Sequence, residues 1–290
     1  FFAKGREQTA TMIIEKKRSI TKNGVDLKSP AEMIGEFNAV IFSPSHLSLI
    51  QEGPVNRRKF LDTALCQLKP SYARVLAKYN RALEQRNALL KDIQFHSELY
   101  DTLDVWDDRL SSYASAIVSE RIKYTRLLSK SCEEIYTGLS DGREKLEIQY
   151  VNNTGLYNDD IYEIKDFLFE RLRQNRSEDI FNKITSIGPQ RDDIDIKINS
   201  LSARKFGSQG QQRSCALAMK LSEANIIKNV TGEEPVILLD DVMSELDVNR
   251  QDYILNHLNS RQVFITCCDP ATVLRMCEGK TFHIEKGRLI

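Results

Sequence analysis

Two adjacent carboxylates, Asp240 and Asp241, close the apolar run Val236 to Leu239. Four apolar residues in succession predict a strand buried on both faces, and ligand sites in open α/β sheets lie beyond the carboxyl ends of such strands. A carboxylate placed there can hold Mg²⁺, usually through water, and a second can orient or polarise an attacking water. Alone, the run also fits an ordinary solvated strand end, so its neighbours decide. Ser244-Glu245-Leu246-Asp247 follows within one short loop, and Phe206-Gly207-Ser208-Gln209-Gly210-Gln211-Gln212-Arg213-Ser214 opens a helix upstream. Glycines let backbone N–H groups approach an anion, the helix N-terminus adds partial positive charge, and Ser208 and Gln211 carry donors for phosphate oxygens. Such a loop is most often just an N-cap. Followed in order by the Asp-terminated strand and the Ser-Glu-Leu-Asp loop, it reads as a second phosphate clamp.

Strands and helices must alternate to position these groups. The last third predicts strands at Glu144 to Val151, Ile194 to Ile198, Val236 to Leu239 and Val263 to Thr266. Helices are predicted at Asp160 to Arg173, Gln211 to Lys228 and Asn249 to Leu258. Strand-helix-strand order with fully apolar strands indicates a buried parallel sheet. Near the start, Thr11 to Lys17 is β-rich, Asn23-Gly24 suits a tight hairpin, and Ala39 to Phe42 reads as a buried strand stopped by Ser43-Pro44. A helix is expected from Pro54 to Leu68, with proline near its start. After Pro70, apolar residues step by four and three through Tyr72, Leu76, Tyr79, Leu83, Leu90 and Ile93, with Arg86 filling one slot. A second series runs Leu103, Trp106, Leu110, Tyr113, Ile117, Tyr124 and Leu127, interrupted at Glu120. This is a coiled-coil seam, turned back near His96 to Asp101. It predicts an antiparallel hairpin projecting at least ~30 Å, in preference to a compact bundle.

Lys plus Arg and Asp plus Glu number 41 each, which argues against coating nucleic acid by bulk charge but leaves room for a local basic surface. The clusters Lys16-Lys17-Arg18, Arg57-Arg58-Lys59 and Arg171, Arg173, Arg176 could each meet phosphates. A solvated face is the commoner explanation of any one of them. The six cysteines show no C-x-x-C spacing and the four histidines do not cluster with them, so a zinc site is not expected and the thiols read as buried and reduced. No apolar run approaches the ~20 residues needed to span a bilayer. A soluble, cytoplasmic protein without membrane partners is the expectation.

Gly207 to Arg213, Val236 to Asp241 and Ser244 to Asp247 resemble the signature, Walker B and D-loop of ABC-type ATPases. The fuller set narrows the match. Phe42-Ser-Pro-Ser-His-Leu47, Gly53-Pro-Val-Asn-Arg57-Arg58-Lys-Phe-Leu61-Asp62, Gly188-Pro189-Gln190-Arg191-Asp192-Asp193 and Gln262-Val-Phe-Ile-Thr266 resemble the RecF family over essentially the whole chain. The helical arm is the least diagnostic part. Departures exist: the usual signature reads Leu-Ser-Gly-Gly-Gln, and Gly207 and Gln209 replace its Leu and first Gly. Gln190 stands where the family often has His. Cys267 and Cys268 replace the usual Thr-Thr; cysteine is a weak donor, which leaves Thr266 as the candidate γ-phosphate sensor. The P-loop pattern G-x-x-x-x-G-K-[ST] occurs nowhere. Gly279-Lys280-Thr281 mimics its end, but Leu274 stands where the first glycine belongs and strand, not helix, is expected after it. In the family that loop lies N-terminal to where this sequence begins, so weak or absent ATP binding is expected of these 290 residues.

The resemblance implies an α/β fold: an ABC-ATPase-like head with a mostly parallel sheet, residues 1–50 and 181–290, interrupted by a helical coiled-coil arm, residues 51–180. It implies that Asp240 holds Mg²⁺ and Asp241 positions water. Ser208, Gln209, Gly210, Gln211 and Arg213 would serve the nucleotide of a partner subunit, and Asp247 the dimer contact. It implies an ATP-bound homodimer on single-stranded and gapped DNA, with Arg57, Arg58, Lys59 and Arg191 as candidate contacts. RecO and RecR are the implied partners in recombinational repair, replication and SOS induction. Two rivals remain: an SMC-like structural ATPase, which needs a far longer coiled coil, and a non-catalytic fragment that binds DNA or RecR.

Overall fold

The computed structural model describes the chain except residues 4, 16–17, 153–154, 157, 259–260 and 269–278. Lys16, Lys17, Leu274 and Cys277 therefore lie outside the described residues. Strands β1 (Ala10–Ile14), β2 (Arg18–Lys22) and β3 (Val25–Asp26) form an antiparallel meander. Asn23 and Gly24 turn it with φ of 51° and 78°, the left-handed values that an Asn-Gly hairpin supplies. Strand β4 (Ala39–Phe42) buries Val40 and Phe42. Helix α1 (Pro54–Leu68) begins on its proline, as the sequence predicts.

Helices α2 (Pro70–Asp92) and α3 (Leu103–Leu139) form the expected hairpin, closed by a 3-10 turn at Ser97–Thr102. With 37 residues, α3 is ~55 Å long. At the far end Leu90, Ile93 and Leu103 make a small separate core. From Leu110 to Leu139, α3 belongs to the main core, packed on α2 and on elements further along the chain, which is closer to a bundle than to the projecting hairpin expected. One position of the expected seam is corrected: Leu127 is half exposed and Leu128 is fully buried. Glu120 pairs with Lys69, and α3 is covered by more than its hairpin partner, so a two-sided seam pattern does not by itself set its face. Arg86, the polar residue in the α2 seam, is fully buried. Its guanidinium lies 2.7 Å from Asp107 of α3 and 2.7 Å from Asp179. A buried charge persists only when so paired.

Strand β5 (Leu146–Val151) alternates buried and open positions. Helix α4 (Ile161–Gln174) is capped by Asp160, whose carboxylate accepts the N–H of Tyr162 and Glu163, and α5 (Arg176–Asn182) follows. Strand β6 (Asp193–Ile198) pairs antiparallel with β5 along six residues, and β7 (Leu201–Ser202) extends that sheet. This pairing joins strands on either side of the 180/181 boundary expected between arm and head. Helix α6 (Gln209–Thr231) ends at Gly232 with φ 75°. From Gln212 to Ile227 only Arg213 and Asn225 escape full burial, so α6 is a core helix. Strand β8 (Val236–Asp240), helix α7 (Val248–Leu258) and strand β9 (Val263–Thr266) complete a parallel sheet in the order β9-β8-β4. The fold is α/β with a parallel sheet and long helices. Residues 279–283 carry no regular structure and lead into a short hairpin, as expected of a false P-loop end.

Candidate nucleotide site

Asp240 ends β8 opposite Thr266, the last residue of β9. The Thr266 hydroxyl donates to Asp240 Oδ1 at 2.7 Å and lies 3.2 Å from the Asp241 N–H, which also reaches the Thr266 carbonyl at 3.1 Å. Asp241 turns with φ 51°, a left-handed conformation that Asp tolerates better than most side chains. Ser244 secures it by donating to its carbonyl and to its Oδ1, both at 3.1 Å. Both carboxylates are exposed at the carboxyl edge of the parallel sheet. The expected acids and Thr266 therefore form one cluster.

Strand β4 runs parallel to β8, so its following turn, Ser43 to His46, stands at the same edge. His46 Nδ1 is 3.0 Å from the Ser43 N–H and acts as its acceptor. Burial, then the nearby Lys220 ammonium, lowers the His46 pKa below its ordinary 6.5 and keeps the ring neutral. His46 and Lys220 line a small cavity of about 40 Å³ together with Arg213, Leu217, Val242 and Leu246. Arg213 is thus set one turn into α6, between that helix and the loop after β8.

The signature residues build a capping box. Ser208 Oγ accepts the Gln211 N–H at 3.2 Å, and Gln211 Oε1 accepts the Ser208 N–H at 2.7 Å. Gln211 Nε2 donates to Glu144 Oε1 at 2.6 Å. The Gln211 side chain, expected to donate to phosphate, is engaged at both ends of its amide, with one of its two Nε2 hydrogens given to Glu144. Ser208 and Gln209 remain exposed. Gly207 admits no side chain, since a Cβ would stand 2.5 Å from the Ala203 carbonyl oxygen. At Gly210 a Cβ would meet Arg250 Nη1 at 3.3 Å. Arg250 pairs with Asp247 at 2.9 Å, and Asp247 Oδ1 accepts the Arg250 N–H at 3.1 Å. The first turn of α6 therefore lies beside the D-loop. Gln212, absent from the expected site, links the signature to the turn at Ser48–Gln51: its Oε1 accepts from Gln51 Nε2 at 2.9 Å.

The basic candidates divide. Arg57 is corrected: its guanidinium is nearly buried, pairs with both Asp193 oxygens at 2.6 and 2.9 Å, and donates to the Leu49 and Glu52 carbonyls at 2.9 Å each. Arg176 is corrected for the same reason, held by Asp104 and Asp107. Arg58 is half-buried and donates to the Asp192 carbonyl at 2.8 Å; burial and the neighbouring Arg121 lower its pKa. Lys59 and Arg191 are exposed. Sequence reasoning missed Arg121, which grips Asp62 in a bidentate pair at 2.8 and 3.0 Å and donates to the Pro189 carbonyl at 2.7 Å. Tyr79 bonds Gln190, and Tyr150 bonds Asp192. The Arg57-to-Asp62 and Gly188-to-Asp193 motifs are thus two sides of one buried polar joint. Their adjacent opposite charges hinted at pairing, but the link through Arg121 and the tyrosines depends on the tertiary fold.

An Asp-terminated central strand, a hydroxyl on its parallel neighbour and a glycine-bearing helix start define an ATPase head of the ABC type. No family model matches the sequence. The chain is 44% identical over 276 residues to the DNA replication and repair protein RecF of Acetivibrio thermocellus, covering 94% of this chain and 75% of the relative. It is 41% identical over 275 residues to that of Agathobacter rectalis, covering 94% and 73%. Among solved structures, it is similar to the recombination mediator protein RecF-ATPrS in the RecFOR pathway, with a TM-score of 0.90 and 38% identity over 99% of this chain and 77% of that one. The corresponding RecF-ATP structure gives 0.86 and 39% over 94% and 72%. The chain belongs to the family of DNA replication and repair protein RecF.

Proposed function

We propose that the chain supplies the metal-binding and signature halves of a nucleotide site split between two subunits, and that ATP closes the dimer on DNA while hydrolysis opens it. The observation that carries this reading is the cluster of Asp240, Asp241 and Thr266 at the carboxyl edge of the parallel sheet. The donors suit Mg²⁺ because they are hard carboxylate and hydroxyl oxygens. Mg²⁺ is commonly held by one or two carboxylates plus substrate phosphates. Asp240 would hold the ion, whose charge would offset that of the phosphates. Asp241, fixed by Ser244 and Thr266, would orient the attacking water. The Ser208 hydroxyl and the backbone N–H groups from Gln209 onward would grip the partner subunit's γ-phosphate, with Gln211 shaping the turn. Asp247 would support the subunit contact through its cap on α7.

On this reading residues 51–180 act as the arm between head segments 1–50 and 181–290. Exposed Lys59 and Arg191 would meet DNA phosphates. The relatives' names support action in replication and recombinational repair; gap recognition, recombinase loading with RecO and RecR, and SOS induction extend that proposal. A second reading is DNA or RecR binding without nucleotide. Calorimetric titration of MgATP into this chain and into the full-length protein separates the two. The split-site reading expects tight binding only in the full-length protein, altered by Asp240→Asn. Equal binding by both would show that these residues cradle the phosphates unaided.

A further inference from the structure

The last turn of α3 touches both helices whose N-termini carry the signature and the D-loop. Tyr136, fully buried in that turn, donates its hydroxyl to Glu144 Oε2 at 2.8 Å. Glu144 Oε1 accepts from Gln211 Nε2 at 2.6 Å, and Gln211 closes the capping box on Ser208. The Tyr136 hydroxyl also engages Cys215, one turn further along α6. Burial holds the Tyr136 phenol protonated, so it remains a donor to the carboxylate. Two residues beyond Tyr136, Gly138 lies against Tyr253 of α7, where a Cβ would stand 2.6 Å from the ring carbon Cζ. One turn of α3 is therefore fixed to α6 by hydrogen bonds and to α7 by close packing.

Glu144 is suited to couple these parts. It lies in the segment joining α3 to β5, and its two oxygens serve two different helices. Charge-assisted hydrogen bonds of this kind are short and directional, so they transmit position well. The Gln211 amide accepts the Ser208 N–H at one end while the Glu144 carboxylate holds its other end, so Glu144 fixes the orientation of that amide. A ~55 Å helix ends at this point, and its other end is the tip of the hairpin. A tilt of the hairpin would reach the signature turn through this contact.

We infer that Glu144 is a positioning residue that locks the signature turn to the end of α3, so that the attitude of the arm sets the geometry of the phosphate clamp. This rests on the split-site reading, with Glu144 itself touching no nucleotide.

The test uses the full-length protein. Sedimentation measures ATP-dependent self-association, calorimetry measures MgATP affinity, and thermal unfolding monitors the fold. Glu144→Ala should weaken ATP-dependent self-association by about tenfold, the effect of one hydrogen bond to a charged group. MgATP affinity should stay within about twofold, because the cradle of the subunit's own nucleotide is untouched. Glu144→Ala combined with Gln211→Ala should be no weaker than Gln211→Ala alone, since Glu144 acts through Gln211. Tyr136→Phe, which leaves the packing intact, should weaken self-association in the same direction and decides the matter if Glu144→Ala does not fold. Additive losses in the double variant, or self-association of Tyr136→Phe and Glu144→Ala equal to wild type, would overturn the inference. Wild-type protein that fails to self-associate with ATP would overturn the split-site reading itself, and no variant is needed to see it.

Discussion

Replacing Arg57 by alanine distinguishes a structural guanidinium from a DNA contact. Four of its N–H groups are engaged: two on the Asp193 carboxylate and two on backbone carbonyls. Removing one partner of a buried ion pair costs about 3–5 kcal/mol, because the other charge is left uncompensated. The Asp193 side chain keeps 32% exposure, so water can reach it, and the loss should fall to about 2–4 kcal/mol. At roughly 2–4 °C per kcal/mol for a domain of this size, Tm should drop by about 4–16 °C. Arg57→Lys should recover only part of the loss, since an ammonium cannot reproduce the two-pronged contact. Lys59→Ala and Arg191→Ala should leave stability within about 0.5 kcal/mol, each lowering the salt dependence of DNA binding by about one unit of slope. Urea unfolding and DNA titrations at several salt concentrations measure both effects on the full-length protein. An Arg57→Ala variant as stable as wild type, with a shallower salt slope, would refute the reasoning.

Gly138→Ala should destabilise by about 1–3 kcal/mol through overpacking on Tyr253, and Tyr253→Ala in the same chain should restore part of it in urea unfolding. Asp241→Gly should change stability by less than about 1 kcal/mol, because relief of the left-handed backbone offsets the added freedom of the unfolded chain, while ATP hydrolysis is lost. The folded-state pKa of His46 is depressed, so the unfolded chain binds its proton first as pH falls below about 6.5. Stability present at pH 7.5 should therefore decline toward pH 5.5, and His46→Gln should flatten that decline in thermal unfolding. Thr266→Val, which removes the hydroxyl shared by Asp240 and Asp241, should slow hydrolysis more than it weakens nucleotide binding in a single-turnover assay.

Local pattern was enough for much of the fold and for the centre of the site. Helix α1 and strands β4 and β9 lie where proline, apolar runs and Ser43-Pro44 predict them. Asp240 and Thr266 meet because the sheet is parallel and in register, which the apolar strands imply. The failures share a cause. Arg57, Arg86 and Arg176 read as exposed cations or seam defects, yet each is neutralised by a carboxylate 21 to 136 residues away. Gln211 carries a signature glutamine's pattern, but one of its two N–H donors goes to Glu144, 67 residues earlier. Leu127 and Leu128 exchange roles because α3 is packed by several elements besides its hairpin partner. Such pairings are set by tertiary contact, and neighbouring residues carry little trace of them.

The central claim, a nucleotide site assembled from two subunits, is tested most directly by mixing two inactive full-length variants. On the proposed reading, Asp240→Asn should lose the metal site and Ser208→Arg the signature. Each should be inactive alone, and a mixed dimer should contain one intact composite site. With random assortment and independently firing sites, an equimolar mixture should recover about a quarter of wild-type ATP hydrolysis. A mixture no more active than its two components measured separately would contradict the account.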